Sequence, residues 1–489
     1  MLEKYNHSGY INIGRNYECV KAKKQVLSQA MTEGGVDHPT LKLVRHYAYD
    51  YADGEVVIHA FERIPEIDGQ NFVLGNGFDD TNYLFYSQLP VDMSELSFYP
   101  QNYPWKIDFA VKGYMQGSKY TEAIFDFDEL QYFCPSSSVL KDDNERNVVF
   151  SGKSTEVKAF NIELDSVKCH VRFIIGAKGK LGIAHSNMEA ITEIHISFPE
   201  TDDFGFLNKI YLLVDLVFAF ICNRRNTTCL SMRLGGKYPA KAIDNRKIVD
   251  CERSYVNCEI FFYNKYREEP EGKKVISKTW DVNGFFVHID KLFEMVASDI
   301  SDDGEGGGTI SIASVHPSVK RRNLVDLQQT LQITGAFEFY VRKYLPNMTP
   351  EENHHTVMRM ILEEVAEKSK GKFGKLRKLA LSMANHVISE PGLEDKLMKA
   401  YRGYSGWNSL KPCIDDNWFK EDEIETLGHE VNLWRNELAH TKRSYEPKVE
   451  TIRAVGLLEH LNYAIVLRKL GYNDEEIKNL LEQALKRIG

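Results

Sequence analysis

The sequence of 489 residues lacks any apolar run long enough to cross a membrane. Its most apolar stretch, residues 210–222, is 13 residues long and includes Asp215, whereas a membrane-spanning helix needs about 20 apolar residues. The first seven residues also lack the apolar core of a secretion signal. We therefore expect a cytoplasmic protein that makes no contact with a membrane, in which residues 210–222 form a buried helix.

Cysteine is scarce, with eight residues spread thinly over the chain. This density is too low for a secreted framework held by disulfides, so reduced thiols are expected. Cys222 and Cys229 are separated by six residues, as are Cys251 and Cys258, but structural zinc sites favour about two to four. We therefore predict buried thiols, no metal site and no cofactor.

Strong charge of either sign is absent, because the net charge is only -9. Residues 320–489 contain 27 Lys+Arg and 25 Asp+Glu, which leaves 34 and 45 in the rest of the chain. The C-terminal third is thus slightly basic and the remainder acidic. This pattern argues against a dedicated DNA-binding protein, but it allows local contact with nucleic acid.

Short alternating or β-branched segments dominate the first 200 residues and predict half-buried strands. The clearest are 55–61, 157–164 and 167–175. Glycine-containing clusters at 53–54, 75–77 and 176–182 predict the turns between strands. We therefore expect a β-rich N-terminal module over residues 1–300, sandwich-like or barrel-like, with a candidate break into two subdomains near residue 200.

The chain changes character after residue 300. Residues 301–318 begin with acidic residues and four glycines, which predicts a linker. Apolar residues then recur at helical spacing through residues 319–489, first in a long helix that ends before Pro346. Further helices are predicted at 350–368, 373–388, 393–402, 420–440, 447–470 and 474–487. The predicted fold class is therefore α+β and multidomain, with an all-α C-terminal bundle.

One segment of this bundle carries a candidate for chemistry, Trp434-Arg-Asn-Glu-Leu-Ala-His440. The predicted core-facing stripe of its helix consists of Ile424, Leu427, Val431, Trp434 and Leu438. Arg435 and His440 lie off this stripe and about 140° apart around an ideal helix. They can act together on one ligand only if His440 lies where the helix ends, which Lys442, Arg443 and Pro447 favour.

The string Arg435-Asn436 followed by His440 resembles the signature of the HEPN family of ribonucleases. The resemblance implies a HEPN helical bundle that forms a homodimer and cleaves RNA without a metal, by attack of the ribose 2′-OH. It implies that Arg435, Asn436 and His440 are catalytic. Imidazole can transfer the protons and guanidinium can stabilise the phosphorane, which leaves 2′,3′-cyclic phosphate ends.

Basic residues near this motif and upstream of it are candidates for RNA binding. Lys442 and Arg443 follow the motif directly, whereas Lys372, Lys375, Arg377 and Lys378 lie in the segment 368–378, which contains six basic residues and no acidic one. Such a segment suits contact with phosphates. A solvated helix face is the alternative explanation for it.

The arrangement of a β-rich region before a HEPN domain resembles ApeA-like abortive-infection proteins of bacterial antiviral defence. This resemblance implies that the N-terminal region restrains the nuclease until a phage-derived activator is sensed, after which RNA, with tRNA as one candidate, is cut. Lys442 occupies the position of the tyrosine that is modified in HEPN toxins silenced by nucleotidylation. The alternative function is a catalytically inactive HEPN module for dimerisation or for nucleotide or RNA binding, joined to a partner-binding β-rich domain.

Overall fold

The computed structural model describes most of the chain. The described residues are 7–12, 47–52, 55–60, 69–77, 81–92, 101–115, 117–134, 141–143, 147–149, 154–181, 186–244, 247–262, 286–301, 327–345, 352–371, 373–387, 392–414, 417–439 and 448–485.

Within the described residues, the N-terminal half forms one thirteen-stranded sheet and one two-stranded sheet. The strands are β1 (His7–Asn12), β2 (Tyr47–Ala52), β3 (Glu55–Ala60), β4 (Phe72–Gly77), β5 (Asn82–Tyr86), β6 (Gln101–Lys106), β7 (Phe109–Lys112), β8 (Lys119–Phe125), β9 (Lys141–Asp143), β10 (Asn147–Val149), β11 (Thr155–Leu164), β12 (Val167–Leu181), β13 (Ser186–Thr201), β14 (Ser231–Asp244) and β15 (Lys247–Phe262). The order in the large sheet is β11-β12-β13-β8-β14-β15-β7-β5-β4-β1-β2-β3-β6, and neighbouring strands are antiparallel.

The strand segments predicted at 55–61, 157–164 and 167–175 are confirmed, but two predicted turns are wrong. Residues 75–77 belong to β4, and residues 176–181 continue β12. In both segments the partner strands supply backbone hydrogen bonds across the glycines, so an extended conformation replaces the expected turn. Continuous pairing from β11 to β6 joins these strands into one sheet.

In the part of this region that the structure describes, two helices accompany the strands, α1 (Asp128–Phe133) and α2 (Phe204–Cys222). Helix α2 confirms the buried helix predicted around residues 210–222. It has 19 residues and is the one helix of the described chain whose length and apolarity would suit a membrane span. Within its most apolar window, 78% is buried inside the protein, which is the environment of a core helix.

Helices make up the C-terminal part, as predicted. They are α3 (Ile289–Ser301), α4 (Leu327–Tyr344), α5 (Glu352–Lys368), α6 (Gly374–Val387), α7 (Leu393–Arg402), α8 (Ile424–Ala439), α9 (Val449–Leu470) and α10 (Asp474–Ala484). Local signals fix several of their ends. The side chain of Asn473 accepts a hydrogen bond from the backbone N–H of Glu476 and caps α10, and Gly471 adopts a left-handed conformation where α9 ends.

The chain divides into two compact units. One unit comprises residues 1–212 and 227–267, and the other comprises residues 213–226 and 268–489. In the second unit, α9 is buried on nearly all sides and packs against α4, α8 and α10. Nearly all of the predicted linker 301–318 lies outside the described residues.

Candidate functional site

The candidate site is built on α8, which the second unit holds from several directions. The predicted core stripe is confirmed for Ile424, Leu427, Val431 and Trp434, which are all buried, while the side chain of Leu438 lies outside the described part. The Trp434 indole N–H donates a 3.0 Å hydrogen bond to the hydroxyl of Thr330 on α4. This bond and the apolar stripe fix the rotation of α8 about its axis.

The N-terminal end of α8 is fixed by α9. The Arg453 guanidinium donates to both carboxylate oxygens of Glu423, at 3.1 and 2.7 Å, and to the carbonyl oxygen of Trp418 at 2.9 Å. Glu423 ends the short 3₁₀ turn that leads into α8. A bidentate pair of this kind adds geometric precision as well as attraction, so the helix that carries Arg435 is anchored at its start.

Arg435 lies off the buried stripe, as predicted, with 41% of its side chain exposed. One of its guanidinium nitrogens, Nη2, is 3.8 Å from Oε2 of Glu338 on α4. The other oxygen of Glu338 is 4.0 Å from Nζ of Lys396 on α7, whose side chain is only 9% exposed. Three helices thus bring together two cations and one carboxylate, at ion-pair distances longer than hydrogen bonds.

The sequence analysis did not identify Glu338 or Lys396. Of the two, only Lys396 could have been suspected from the sequence, because it falls on the apolar side of an amphipathic helix. A lysine is rarely buried there without a partner. The pairing itself depends on three helices that are distant in sequence, and no local pattern encodes it. Each carboxylate oxygen of Glu338 thus lies at ion-pair distance from a different cation.

The remaining predicted catalytic residues are only partly described. Asn436 follows Arg435 on α8, and its side chain lies outside the described part. The described helix has Ala439 as its last residue, and His440 is the next residue in sequence. His440, Lys442, Arg443 and Lys372 all lie outside the described residues, so their roles remain predictions.

The other predicted RNA-binding residues lie on α6, which packs against α5, whereas Arg435 lies on α8, which packs against α4, α7 and α9. Lys375 and Lys378 are exposed and Arg377 is half-buried. Two further lysines of the basic segment pair with acids of α5, Lys368 with Glu364 and Lys370 with Glu367. Part of the positive charge of this segment is therefore neutralised locally.

A second group of titratable side chains lies on the large sheet of the first unit. His195 on β13 contacts a carboxylate with each ring nitrogen, Glu122 at 3.1 Å through Nδ1 and Glu193 at 3.3 Å through Nε2. Arg172 pairs with Glu122 at 2.8 Å, and Arg233 pairs with Glu193. The charges alternate along the group, so each carboxylate lies between two positive partners when the imidazole is protonated.

The two carboxylates set the pKa of His195. Burial lowers this pKa, but hydrogen bonds and charge from Glu122 and Glu193 outweigh the burial, so the pKa lies above its usual value. The hydrogen bond from His195, helped by Arg172, in turn holds the pKa of Glu122 below its usual value. Cross-strand register brings these side chains together, which is why no sequence motif identified them.

Among the described residues, no group of three His, Cys, Asp or Glu side chains could hold a metal ion. The described cysteines include Cys222, Cys229 and Cys258, and all of them are buried free thiols. No family model, curated protein or solved structure matches this chain.

Proposed function

We propose that this protein is a metal-independent endoribonuclease of the cytoplasm that acts as a homodimer, with Arg435 and His440 as its principal catalytic residues. The observation that carries the proposal is the cluster formed by Arg435, Glu338 and Lys396. It holds a half-exposed guanidinium on a rigid helix, five residues before His440.

The chemistry proposed for these residues is an internal transfer at phosphorus. His440 of one chain takes the proton from the ribose 2′-OH, whose oxygen then attacks the phosphorus atom. The bond from phosphorus to the 5′-oxygen breaks, and His440 of a second copy gives that oxygen a proton. Arg435 stabilises the charge that develops on the phosphorane. The products are a 2′,3′-cyclic phosphate and a 5′-hydroxyl.

Glu338 has a positioning role in this proposal. Its carboxylate lies 3.8 Å from Arg435 and restrains the guanidinium without a short hydrogen bond. Lys396, almost fully buried beside the same carboxylate, limits the net negative charge that an incoming phosphate meets.

The test is cleavage of total RNA and purified tRNA in the presence of EDTA, with the product ends mapped. The wild-type protein should leave 2′,3′-cyclic phosphates, and Arg435→Ala and His440→Ala should each reduce the rate by at least about 100-fold. Two matched controls are Arg402→Ala, an exposed arginine of α7, and His429→Ala, an exposed histidine of α8. Both controls should cut at the wild-type rate.

Two outcomes would contradict this assignment. Equal activity in wild type and His440→Ala would exclude His440 as the acid or base. Binding of RNA or nucleotide by wild type with no cleavage under any condition would favour the inactive binding module. In that case RNA binding should still be weakened by each of the variants Lys375→Ala, Arg377→Ala and Lys378→Ala. The loss should be similar for RNA molecules of different sequence, because phosphate contacts carry no sequence information.

We also propose that the β-rich unit controls this nuclease in antiviral defence, and that an activator of phage origin releases it. Expression of wild type should arrest bacterial growth on infection, whereas His440→Ala should not. Arrest by both proteins would separate the toxicity from RNA cleavage and contradict the proposal.

A further inference from the structure

Rings and cations alternate along one surface of the second unit, where the ends of α4 and α9 meet the loop that follows α7. Nζ of Lys343 lies 5.3 Å from the ring centre of Phe339 and 5.8 Å from that of Tyr344. Nζ of Lys469 lies 5.7 Å from the ring centre of Tyr344 and 5.8 Å from that of Trp407. At these distances a ring attracts a cation. We call these five residues the cation–aromatic surface.

The loop after α7 holds the Trp407 ring in place. Tyr404 and Trp407 exchange two backbone hydrogen bonds of 3.0 Å. Gly403 has a φ angle of 82°, and a Cβ atom there would lie 2.7 Å from the backbone nitrogen of Ser409. The Arg468 guanidinium lies 5.4 Å from the centre of the Trp407 ring and donates to the carbonyl oxygen of Ser409 at 2.9 Å. A ring that is already fixed loses little conformational entropy when a ligand stacks on it.

The ring of Tyr344 is also supported from within the unit. It stacks on the buried ring of Tyr340, with 5.6 Å between the ring centroids and 20° between the planes. Because the ammonium group of Lys469 approaches both rings, those of Tyr344 and Trp407 lie within about 12 Å of each other. Both residues are half-buried. Each therefore presents part of its side chain to solvent, beside an exposed charge.

The cations of this region differ in how far their charge is already used. Lys343 forms a 3.0 Å ion pair with Asp299, whose side chain is fully buried. Arg468 forms an ion pair with Asp474. Lys469 is exposed, and no carboxylate of the described residues forms an ion pair with it. The positive charge of Lys469 is therefore available to a ligand.

We propose that the cation–aromatic surface binds single-stranded RNA, with bases stacked on Tyr344 and Trp407 and a phosphate bound by the Lys469 ammonium group. An unpaired nucleotide offers a base face and a phosphate, which are the two chemistries that this surface combines. In a duplex the base faces are stacked on one another and do not reach the rings. Stacking requires only a π-face, so we expect little preference for sequence.

The cation–aromatic surface shares no residue with the candidate site, although both use α4. Tyr344 follows Glu338 by six residues, which places it about 9 Å further along the helix axis and about 120° around it. The inference rests on the proposed function only in naming RNA as the ligand. It adds the class of substrate, which is an RNA with unpaired nucleotides, and a surface that holds them outside the candidate site.

The test is fluorescence anisotropy of the full chain with a labelled 2′-O-methyl oligoadenylate of about 12 nucleotides, which lacks the 2′-OH that cleavage requires. Wild type should bind this strand, and its duplex with the complementary strand should bind at least about tenfold more weakly. Lys469→Ala, Tyr344→Leu and Trp407→Leu should each weaken binding at least about fivefold, whereas Tyr344→Phe keeps the ring and should bind as wild type does. The matched control, Tyr132→Leu with Lys168→Ala, removes an exposed ring and an exposed lysine of the first unit and should leave the affinity unchanged.

Salt dependence separates the lysine from the rings. Loss of one phosphate contact in Lys469→Ala should reduce the slope of log Kd against log salt concentration by about 0.7. Tyr344→Leu should weaken binding and leave this slope unchanged, because no phosphate contact is lost. Circular dichroism and thermal melting of each variant distinguish loss of binding from misfolding.

Four results would overturn the proposal. They are a wild-type protein that does not bind the strand, a duplex that binds as tightly as the strand, wild-type affinity in both Lys469→Ala and Trp407→Leu, and equal weakening in the matched control. Adenosine monophosphate that displaces the strand at an equal concentration of nucleotide would identify a site for free nucleotides instead. Because the strand cannot be cut, failure of this binding is distinct from failure of the cleavage assay.

Discussion

Asn223 is a buried residue that combines an unusual backbone conformation with two hydrogen bonds. Its φ angle is 49°, in the left-handed region where Asn is tolerated better than most residues. Its amide nitrogen donates to Glu459 at 3.0 Å, and its amide oxygen accepts from the Tyr463 hydroxyl at 3.1 Å. The Tyr463 hydroxyl also lies 3.0 Å from the carbonyl oxygen of Phe220. These contacts fasten the segment after α2 to α9.

Replacing Asn223 with alanine should lower the free energy of unfolding by about 2 to 4 kcal/mol, because two buried hydrogen bonds are lost and alanine disfavours positive φ. Asn223→Gly loses the same hydrogen bonds but accepts the backbone conformation. It should therefore be less destabilising than Asn223→Ala by about 1 kcal/mol. Chemical denaturation of the three proteins measures both differences. Equal stability of the two variants would show that the backbone conformation costs nothing.

His195 should make stability depend on pH. Its pKa is raised in the folded protein, so its contribution is fully present below the unfolded pKa of about 6.5 and disappears as pH rises through the folded pKa. The charged groups that face it are Glu122, Glu193, Arg172 and Arg233.

The measurement is thermal melting of wild type and His195→Gln between pH 6 and pH 9. The stability advantage of wild type should be largest at pH 6 and should shrink as the pH rises to 9. A constant difference across this range would mean that folding leaves the pKa of His195 unchanged. Glu122 acts in the opposite direction: its pKa is lowered, so its contribution disappears as pH falls through that lowered pKa.

At the scale of single residues, spacing alone predicted that Arg435 lies off the buried stripe of its helix, and the structure confirms that position. Glu338 and Lys396 could not be found in that way, because their relation to Arg435 arises from packing of three helices. The same applies to His195, whose carboxylate partners depend on strand register. Spacing predicts which face a side chain occupies, whereas a pair across elements requires the fold.

Gly236 shows how one residue constrains a pair of strands. It lies at the irregularity where β14 pairs with β8. A Cβ atom there would overlap the carbonyl oxygen of Lys119 and lie 2.9 Å from Cα of Tyr120. Since backbone atoms cannot move aside as a side chain can, alanine at this position must displace one of the two strands.

We expect Gly236→Ala to lower the free energy of unfolding by about 2 kcal/mol or more, as overpacking does in other cores. The matched control is Gly335→Ala on α4, an exposed position where a Cβ meets no heavy atom within 4 Å. That change should stabilise the protein by up to about 1 kcal/mol, because alanine favours the helix. Denaturant-induced unfolding measures the change in the free energy of unfolding for both variants. No change for Gly236→Ala would mean that β8 and β14 separate easily at this position.

At the scale of elements, the helices were predicted more accurately than the turns. Helix ends carry local chemistry, such as the capping amide of Asn473, so their positions follow from a few residues. The glycines of β4 and β12 were misassigned because glycine occurs both in turns and where strands pair closely. Only the partner strand decides between these conformations, and its identity is not a local property.

The described thiols belong to both units, and all six are buried. Burial raises the pKa to about 11 for Cys134 and Cys169, and to about 12 for Cys258 and Cys413. At pH 8 the reactive thiolate should therefore be about one part in a thousand or less. Alkylation should modify all six only when the whole molecule unfolds. Mass spectrometry after brief native labelling tests this, and rapid modification of any of the six would contradict it.

At the scale of the whole molecule, the presence of a β-rich part and a helical part was predicted, but the limits of the two compact units were not. Alternating and helical periodicities separated a β-rich part from a helical part. They did not reveal that residues 213–226 belong to the same unit as residues 268–489. Periodicity describes each segment by itself, and assignment to a unit depends on contacts such as those of Asn223 with α9.

This interleaving has a consequence for synthesis on the ribosome. Tyr463 follows Asn223 by 240 residues, so at 5–20 residues per second its partner arrives roughly 10 to 50 s later. Throughout that interval Phe218 and Phe220 lack the later helices of their unit, including α9, on which Phe220 stacks through Tyr463. Proteolysis of stalled chains should therefore be fastest in this segment before α9 has emerged.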